Sequence, residues 1–307
     1  MPSHETIAVV VVTYNSAPLI SGLVESLGPG LAGLEWHLTV VDNASHDDTV
    51  AQVNAAAPYA TVVQTGRNAG YAAGINAGLA ACAHHTAVLV LNPDVRLGPG
   101  CGAILLRELR VSGTGIAVPL LLDRFGKRID SQRREPTIMR AVGDLLLGSR
   151  RAGRFARLGQ VVTAAEEYER PAVVDWAEGS TLMISAECLE KVGSWDESFF
   201  LYSEETEFAL RARDGGFVTR FTPHAWAVHL EGGSATSLSL WPLVVTNWVR
   251  LFRRRHALAP SIMFWTVILL RETSRAAIGK KTSRRALRVL LNPKRLCEVP
   301  GPHSIRP

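Results

Sequence analysis

The chain has 307 residues, 47% hydrophobic and 20% charged, an ordinary globular composition that suffices for one large core, alone or with a small appendage. Its formal charge of +5 is unevenly placed: residues 1–247 hold 19 Lys+Arg against 26 Asp+Glu, whereas residues 248–295 hold 13 basic residues and one acid, Glu272. Four dispersed cysteines with no CxxC pair argue against a disulfide framework, and the opening MPSHET lacks the basic and apolar regions of a secretion signal, so the cytoplasm is the expected compartment.

Residues 7–12, IAVVVV, read as a strand running into Thr13-Tyr14-Asn15-Ser16, with a helix expected over 17–27. A second strand over 38–41 runs into Asp42-Asn43-Ala44-Ser45-His46-Asp47-Asp48, and a helix is expected over 47–56. Ser45 or His46 as a cap, with Asp47 and Asp48 in the first turn, accounts for those residues structurally; Asp42 precedes the turn and is not explained that way. A third strand over 61–63 leads into Gly66-Arg67-Asn68-Ala69-Gly70-Tyr71, whose small residues permit close backbone approach to a ligand while Arg67 and Asn68 offer donors to phosphate, ribose or base. Neither GxGxxG nor GxxxxGK[ST] spacing is present there. The repeated order of strand, polar loop and helix predicts an α/β fold with a parallel sheet.

The most informative stretch is AVLVLNPDV, residues 87–95. Its unbroken apolar run reads as a strand covered on both faces, and Pro93 cannot continue the ladder, so Asp94 is expected at the carboxyl end of the sheet, where open α/β folds bind ligands. A carboxylate there suits a divalent cation, which takes oxygen ligands and offsets phosphate charge; helix capping is the alternative role. Residues 123–170 are the hardest to interpret: DRFGKR looks like a hairpin turn, and the residues after it mix helical periodicity with arginines, a composition suited to a lid or an acceptor-binding arm.

Further along, Phe199-Phe200-Leu201-Tyr202-Ser203 precedes Glu204, Glu205 and Glu207 at the start of an expected helix. Acids in a first turn suit the helix dipole, yet their crowding beside an apolar segment also raises a carboxylate pKa, as a general base requires. A strand over 217–221 leads toward His229. In the basic tail, the apolar run 257–270, ALAPSIMFWTVILL, is shorter than the roughly 20 residues a spanning helix needs. Flanked by Arg253, Arg254, Arg255 and Arg271, and carrying Phe264 and Trp265, it fits an interfacial helix on an anionic membrane; a packed terminal helix with solvated flanks is the competing reading. No RNA-binding motif or interleaved stacking aromatics supports a nucleic-acid partner.

TYNS, VVDNAS with its trailing DDT, GRNAGYAAGIN, LNPDV, EGSTLMIS and GSWDESFFLYSEETEFALRARDGG together resemble, in order and approximate spacing, the family 2 glycosyltransferases of GT-A fold, in particular their rhamnosyltransferase-like branch. The resemblance covers roughly residues 7–231 and implies a GT-A domain over 1–236; the charge and apolar run beyond it predict a basic helical, membrane-associating extension over 237–307. It implies that Thr13, Tyr14, Asn15, Asp42, Asn43, Arg67, Asn68, Gly70 and Asn92 face the nucleotide donor. Asp94 takes the place of the metal ligand in the family's DxD motif, whose first Asp is here Asn92, and His229 would complete a Mn²⁺ or Mg²⁺ site. Glu205 stands where the family has its general-base Asp, with Glu204 in reserve, and Trp176, Glu178 and Gly179 fall on the acceptor side. The implied reaction is an inverting sugar transfer from a nucleotide-diphosphate sugar, dTDP-L-rhamnose first among donors. The basic apolar tail suggests as acceptor a polyprenyl-diphosphate-linked saccharide, or a polysaccharide, met at the inner face of the plasma membrane. Galactofuranosyl or N-acetylhexosaminyl donors, a non-catalytic nucleotide-sugar-binding scaffold and a homodimer stay open.

Overall fold

The computed structural model describes residues 5–82, 85–230 and 237–305. The apolar run at the start forms β1 (Thr6–Thr13), buried from Ile7 onward because both of its faces are covered. Then come α1 (Ala17–Gly30), β2 (Glu35–Asp42), α2 (Thr49–Ala56), β3 (Thr61–Gln64), α3 (Tyr71–Ala81) and β4 (Ala87–Leu91). Strands β3, β2, β1 and β4 lie side by side in that order and all run parallel, so the expected repeats do build one sheet with their polar loops on a shared edge. The strand order reverses between β1 and β4, and such a switch point opens a crevice at the carboxyl ends of the strands.

Beyond β4 the sheet is mixed rather than purely parallel. In chain order the remaining elements up to the tail are β5 (Val95–Leu97), α4 (Cys101–Leu109), β6 (Thr114–Leu122), β7 (Gln132–Arg133), α5 (Ile138–Leu147), α6 (Ser149–Ala152), β8 (Ala172–Val174), β9 (Trp176–Ala177), β10 (Thr181–Ser185), α7 (Ala186–Val192), α8 (Glu204–Asp214) and β11 (Val218–His229). Strand β10 inserts antiparallel between β4 and β6, while β11 pairs parallel with β6 and antiparallel with β5. The reason is where β10 begins: the amide of Asn92 donates to Ser180 O at 3.0 Å, so the chain enters β10 from the carboxyl edge and must run back across the sheet.

Residues 123–170 fold onto that edge. Gly126 N donates to Asp123 O, which closes the expected turn, and β7 pairs with β9. The buried hydroxyl of Tyr168 accepts from Gln132 N at 2.9 Å and donates to Val162 O at 3.1 Å, pinning the strip in place.

The tail forms α9 (Leu240–Arg255), α10 (Leu258–Ala277), α11 (Lys281–Leu290) and α12 (Pro293–Cys297). The reading of 257–270 as an interfacial helix resting on Phe264 and Trp265 needs correction. Helical periodicity turns Ser261, Phe264 and Ile268 to one buried face of α10, where Phe264 stacks on Phe252 of α9 at 4.1 Å between ring centres. Trp265 is partly buried and its indole N–H donates to Leu290 O at 3.2 Å. Two basic flanking residues also tie the tail to the sheet domain, Arg254 to Asp196 and Arg255 to Asp214. Among the described residues no helix is long and apolar enough to cross a membrane. The expected domain boundary at 236/237 adjoins residues 231–236, which lie outside the described residues.

Candidate functional site

On one side of the crevice, the ends of β1 and β2 are pinned together. Thr13 and Asp42 are register partners; Thr13 Oγ1 donates to Asp42 Oδ1 at 3.2 Å, and Ser45 donates to the same carboxylate from its backbone N (2.9 Å) and its hydroxyl (2.5 Å). Asn15, with φ of 50°, accepts from His46 N at 2.8 Å while its own amide donates to Ser45 Oγ at 2.8 Å. Ser45 is thus a loop clamp rather than a helix cap, and Asp47 takes the capping work, accepting from Thr49 N at 3.1 Å and Ala17 N at 3.1 Å. Tyr14 is exposed, edge-on to His46, and Arg67 is exposed on its loop.

The Gly66–Gly70 loop is held from beneath. Asn43 Nδ2 donates to Gly70 O at 2.9 Å, and Asn68 Oδ1 accepts from Gly70 N at 3.2 Å. Gly70 has φ of 95°, and a Cβ there would stand 2.4 Å from Phe200 O, which accepts from Tyr71 N at 2.9 Å. The Gly66–Gly70 loop therefore lies directly on the segment that leads to Glu204.

On the other side, the turn after β4 and the end of β11 bring Asp94 and His229 together. His229 Nε2 is 3.2 Å from Asp94 Oδ2, and its Nδ1 is 3.0 Å from Glu178 Oε1, an ion-pair contact rather than a directed hydrogen bond. Arg133 Nη2 lies 3.9 Å from the other oxygen of Glu178, so charges alternate along Asp94, His229, Glu178 and Arg133. Burial works against a charged imidazole, but the two carboxylates outweigh it and push His229 up to about 10. Burial likewise opposes ionisation of Glu178, yet His229 and Arg133 hold it below the usual carboxylate range.

Asp94 and His229 are the residues that would hold a divalent cation, the imidazole giving up its proton to do so. They stand 3.2 Å apart and supply an oxygen and an imidazole nitrogen, donors that suit one Mn²⁺ or Mg²⁺. Glu178 would then face the imidazole from its far side, where outer partners of metal-bound histidines stand. Among the described residues no group of three or more His, Cys, Asp or Glu could hold an ion, so the remaining positions would fall to the donor's phosphates and water.

Glu204 and Glu205 open α8 after Tyr202 and Ser203, which both have left-handed backbones at φ of 69° and 73°. Glu204 is 3% exposed and its Oε2 has no partner among the described residues. Its carboxyl is pushed well up, first by burial and then by the charge of Glu205. Glu205 instead lies against Gly179, where an added Cβ would come 3.1 Å from its own. Burial, reinforced by Glu178 and opposed by Arg133, raises it to about 7. Glu205, Gly179, Glu178, His229 and Asp94 thus share one wall of the crevice. Trp176 does not join them; its ring is buried in the core and its N–H donates to Arg134 O at 3.1 Å.

Three contributors were not anticipated from sequence. Arg133 sits in the segment hardest to interpret and carried no local signal. Tyr71, whose hydroxyl donates to Gly179 O at 3.3 Å, reads as an ordinary helix-starting aromatic. Asn247 did carry a signal, a lone amide within the apolar face of α9, and it reaches the turn before Glu204.

Comparison with known proteins places these features in context. Residues 8–164 match the family model described as Glycosyl transferase family 2. The N-acetylglucosaminyl-diphospho-decaprenol L-rhamnosyltransferase of Mycobacterium tuberculosis (strain ATCC 25618 / H37Rv) is 29% identical over 250 residues, covering 75% of this chain and 78% of the relative. The low-salt glycan biosynthesis hexosyltransferase Agl10 of Haloferax volcanii is 29% identical over 222 residues, covering 68% and 62%. Among solved structures, the mannosyltransferase PcManGT from Pyrobaculum calidifontis, in complex with GDP-Man and Mn²⁺, superposes with a TM-score of 0.57 at 16% identity, covering 94% of this chain and 81% of that one, a likeness of fold.

Proposed function

The chain belongs to glycosyl transferase family 2, and from that premise we propose that it is an inverting, metal-dependent transferase moving a sugar from a nucleotide-diphosphate donor to an acceptor hydroxyl. The observation that carries this reading is the placement of Glu205, raised to about 7, on the same wall as the Asp94–His229 pair. A carboxylate titrating near neutrality is suited to remove the proton from an acceptor hydroxyl. That oxygen then attacks the anomeric carbon from the face opposite the diphosphate, and one displacement inverts the centre. Asp94 and His229 would hold a divalent ion, Mn²⁺ or Mg²⁺, which when bound neutralises charge developing on the departing diphosphate. Thr13, Asp42 and Asn68 lie across the crevice, where the nucleotide is expected. Arg133, next to Glu178, offers a cation to an acidic acceptor.

L-Rhamnose from dTDP-L-rhamnose is the first donor of choice, and a polyprenyl-diphosphate-linked saccharide in cell-envelope glycan synthesis the first acceptor. The name of the mycobacterial relative supports the sugar and the lipid-linked acceptor. The halophile's hexosyltransferase keeps a different hexose, including galactofuranose or an N-acetylhexosamine, as the second reading. Peripheral attachment to the inner face of the plasma membrane belongs to the same proposal. The test is a thermal-shift screen of dTDP-sugars against UDP-sugars with Mn²⁺ present or chelated, followed by product analysis. Stabilisation by dTDP-L-rhamnose alone and transfer that stops on chelation are expected. A shift with every nucleotide sugar but no transfer to any acceptor would favour a binding scaffold.

A further inference from the structure

The face of α10 opposite its buried stripe is apolar and uncovered. Leu258, Ile262, Met263 and Leu270 are 72%, 52%, 56% and 52% exposed, and no charged side chain interrupts the helix between Leu258 and Leu270. Four large apolar side chains exposed along one helix are more than scattered surface residues, and such a stripe marks an interaction surface. Leu258 and Ile262 also form one wall of a cavity of about 320 Å³, whose facing wall on α9 carries Arg250, Arg253 and Arg254. Apolar side chains thus lie next to cationic heads, the combination that the hydrocarbon and phosphate of a bilayer would meet.

Charge decides between partners. From residue 257 to 305 the chain contains two acids: Glu272, fully buried against Arg271 and Trp241, and Glu298, exposed and paired with His303 at 3.2 Å. Both ends of α10 adjoin basic residues: Arg253 before it, beside Arg254 and Arg255, which are paired to Asp196 and Asp214, and the exposed Lys280 and Lys281 after it. A second copy seated symmetrically on this face would bring like charges together, whereas an anionic surface would meet a cationic excess. We infer that the outward stripe of α10, with the arginine-walled groove beside it, is the surface by which this chain docks on an anionic phospholipid bilayer. The inference rests on the proposed transfer to a lipid-linked acceptor only for its purpose, since the surface is defined independently of the crevice.

The test uses the full chain and vesicles of phosphatidylcholine alone or mixed with phosphatidylglycerol. Cosedimentation with the mixed vesicles, little with the neutral ones, and release as salt rises are expected. Replacing Ile262, Met263 and Leu270 together with Ser should weaken vesicle binding by at least about tenfold at every salt concentration, with the cooperative thermal transition kept at a slightly lower melting temperature, because about half of each side chain is already exposed. Changing Lys280 and Lys281 to Gln should weaken binding and flatten its salt dependence. Absence of binding by the parent, full binding by the triple Ser variant, or a parent dimer that the triple Ser variant dissociates would each overturn the inference, the last in favour of a second copy. Transfer to a soluble acceptor should be unchanged in the triple variant. If the parent docks on vesicles but transfers no sugar to any acceptor, the surface stands and the catalytic reading fails.

Discussion

The side-chain amide of Asn247 donates to the carbonyl oxygen of Tyr202 at 2.9 Å and to that of Leu201 at 3.0 Å. Asn247 is wholly buried in α9, and the turn it grips holds two consecutive non-glycine residues in the left-handed region immediately before Glu204. Each such residue costs roughly 1–2 kcal/mol, so the conformation needs an outside restraint, and α9 supplies it. The C-terminal helices thereby take part in presenting the acidic pair.

Asn247→Ala should lower kcat about 10- to 100-fold while the donor KM stays near that of the parent, because the base is misplaced and the nucleotide side untouched. Steady-state kinetics with a soluble acceptor measures this. A fall in melting temperature with kcat intact would reduce Asn247 to a packing residue. Ser203→Gly should stabilise the chain by about 1 kcal/mol, since glycine adopts this backbone without penalty.

Glu205→Gln should cut turnover by about 10² to 10⁴ with donor affinity little changed, as loss of a general base does. In the parent, activity should rise with pH through about 7, where Glu205 loses its proton. If Glu204→Gln is the more damaging change, the base is the preceding residue.

The same pair makes stability depend on pH in the unusual direction for carboxylates. Both folded pKa values lie above the ordinary value of 4.5, so between the unfolded and folded values the native state binds more protons than the unfolded one. Their contribution is full below the unfolded pKa and is lost as pH rises through the folded one, near 7 for Glu205. Glu204→Gln should therefore raise the melting temperature at pH 8 and change it little at pH 4.5, which paired thermal scans would reveal.

Asp94→Ala should leave less than about a tenth of parental transfer, a barrier increase above about 1.4 kcal/mol, and remove the metal dependence of nucleotide binding. Because the site lies at a strand end, circular dichroism should be unaltered. Retention of Mn²⁺-dependent nucleotide binding by the variant would exclude Asp94 as a ligand.

In the tail, Arg271 is buried beside Glu272 at 2.7 Å, with its guanidinium 4.7 Å from the ring centre of Trp248. Glu272→Ala strands that cation in the interior and should cost about 3–5 kcal/mol, read from urea unfolding. Phe264→Ser should likewise destabilise the fold, far more than substitutions on the outward stripe.

Much of the site was legible because it hangs on local patterns. Strands that end abruptly at Thr13, Asp42 and Leu91 announce a ligand edge, and crowded acids announce a perturbed carboxylate. What escaped depended on contacts distant in sequence. The antiparallel entry of β10 is dictated by where residues 123–180 lie, Arg133 acquires meaning only opposite Trp176 and Glu178, and the apolar run of α10 has two faces whose destinations no composition reveals. Phe264 and Met263 are neighbours in sequence, yet one fills a core and the other faces solvent.

For anyone seeking to change the nucleotide donor this chain is proposed to take, the loop from Gly66 to Gly70 is unequal along its length. The exposed side chain of Arg67 can be exchanged with little effect on the rest of the molecule. Gly70 cannot, since any side chain there would strike the Phe200 carbonyl and displace the turn carrying Glu204 and Glu205. Libraries for new donors should therefore vary the tip of the loop and hold its last residue fixed, or a gain in substrate range will come with a loss of turnover.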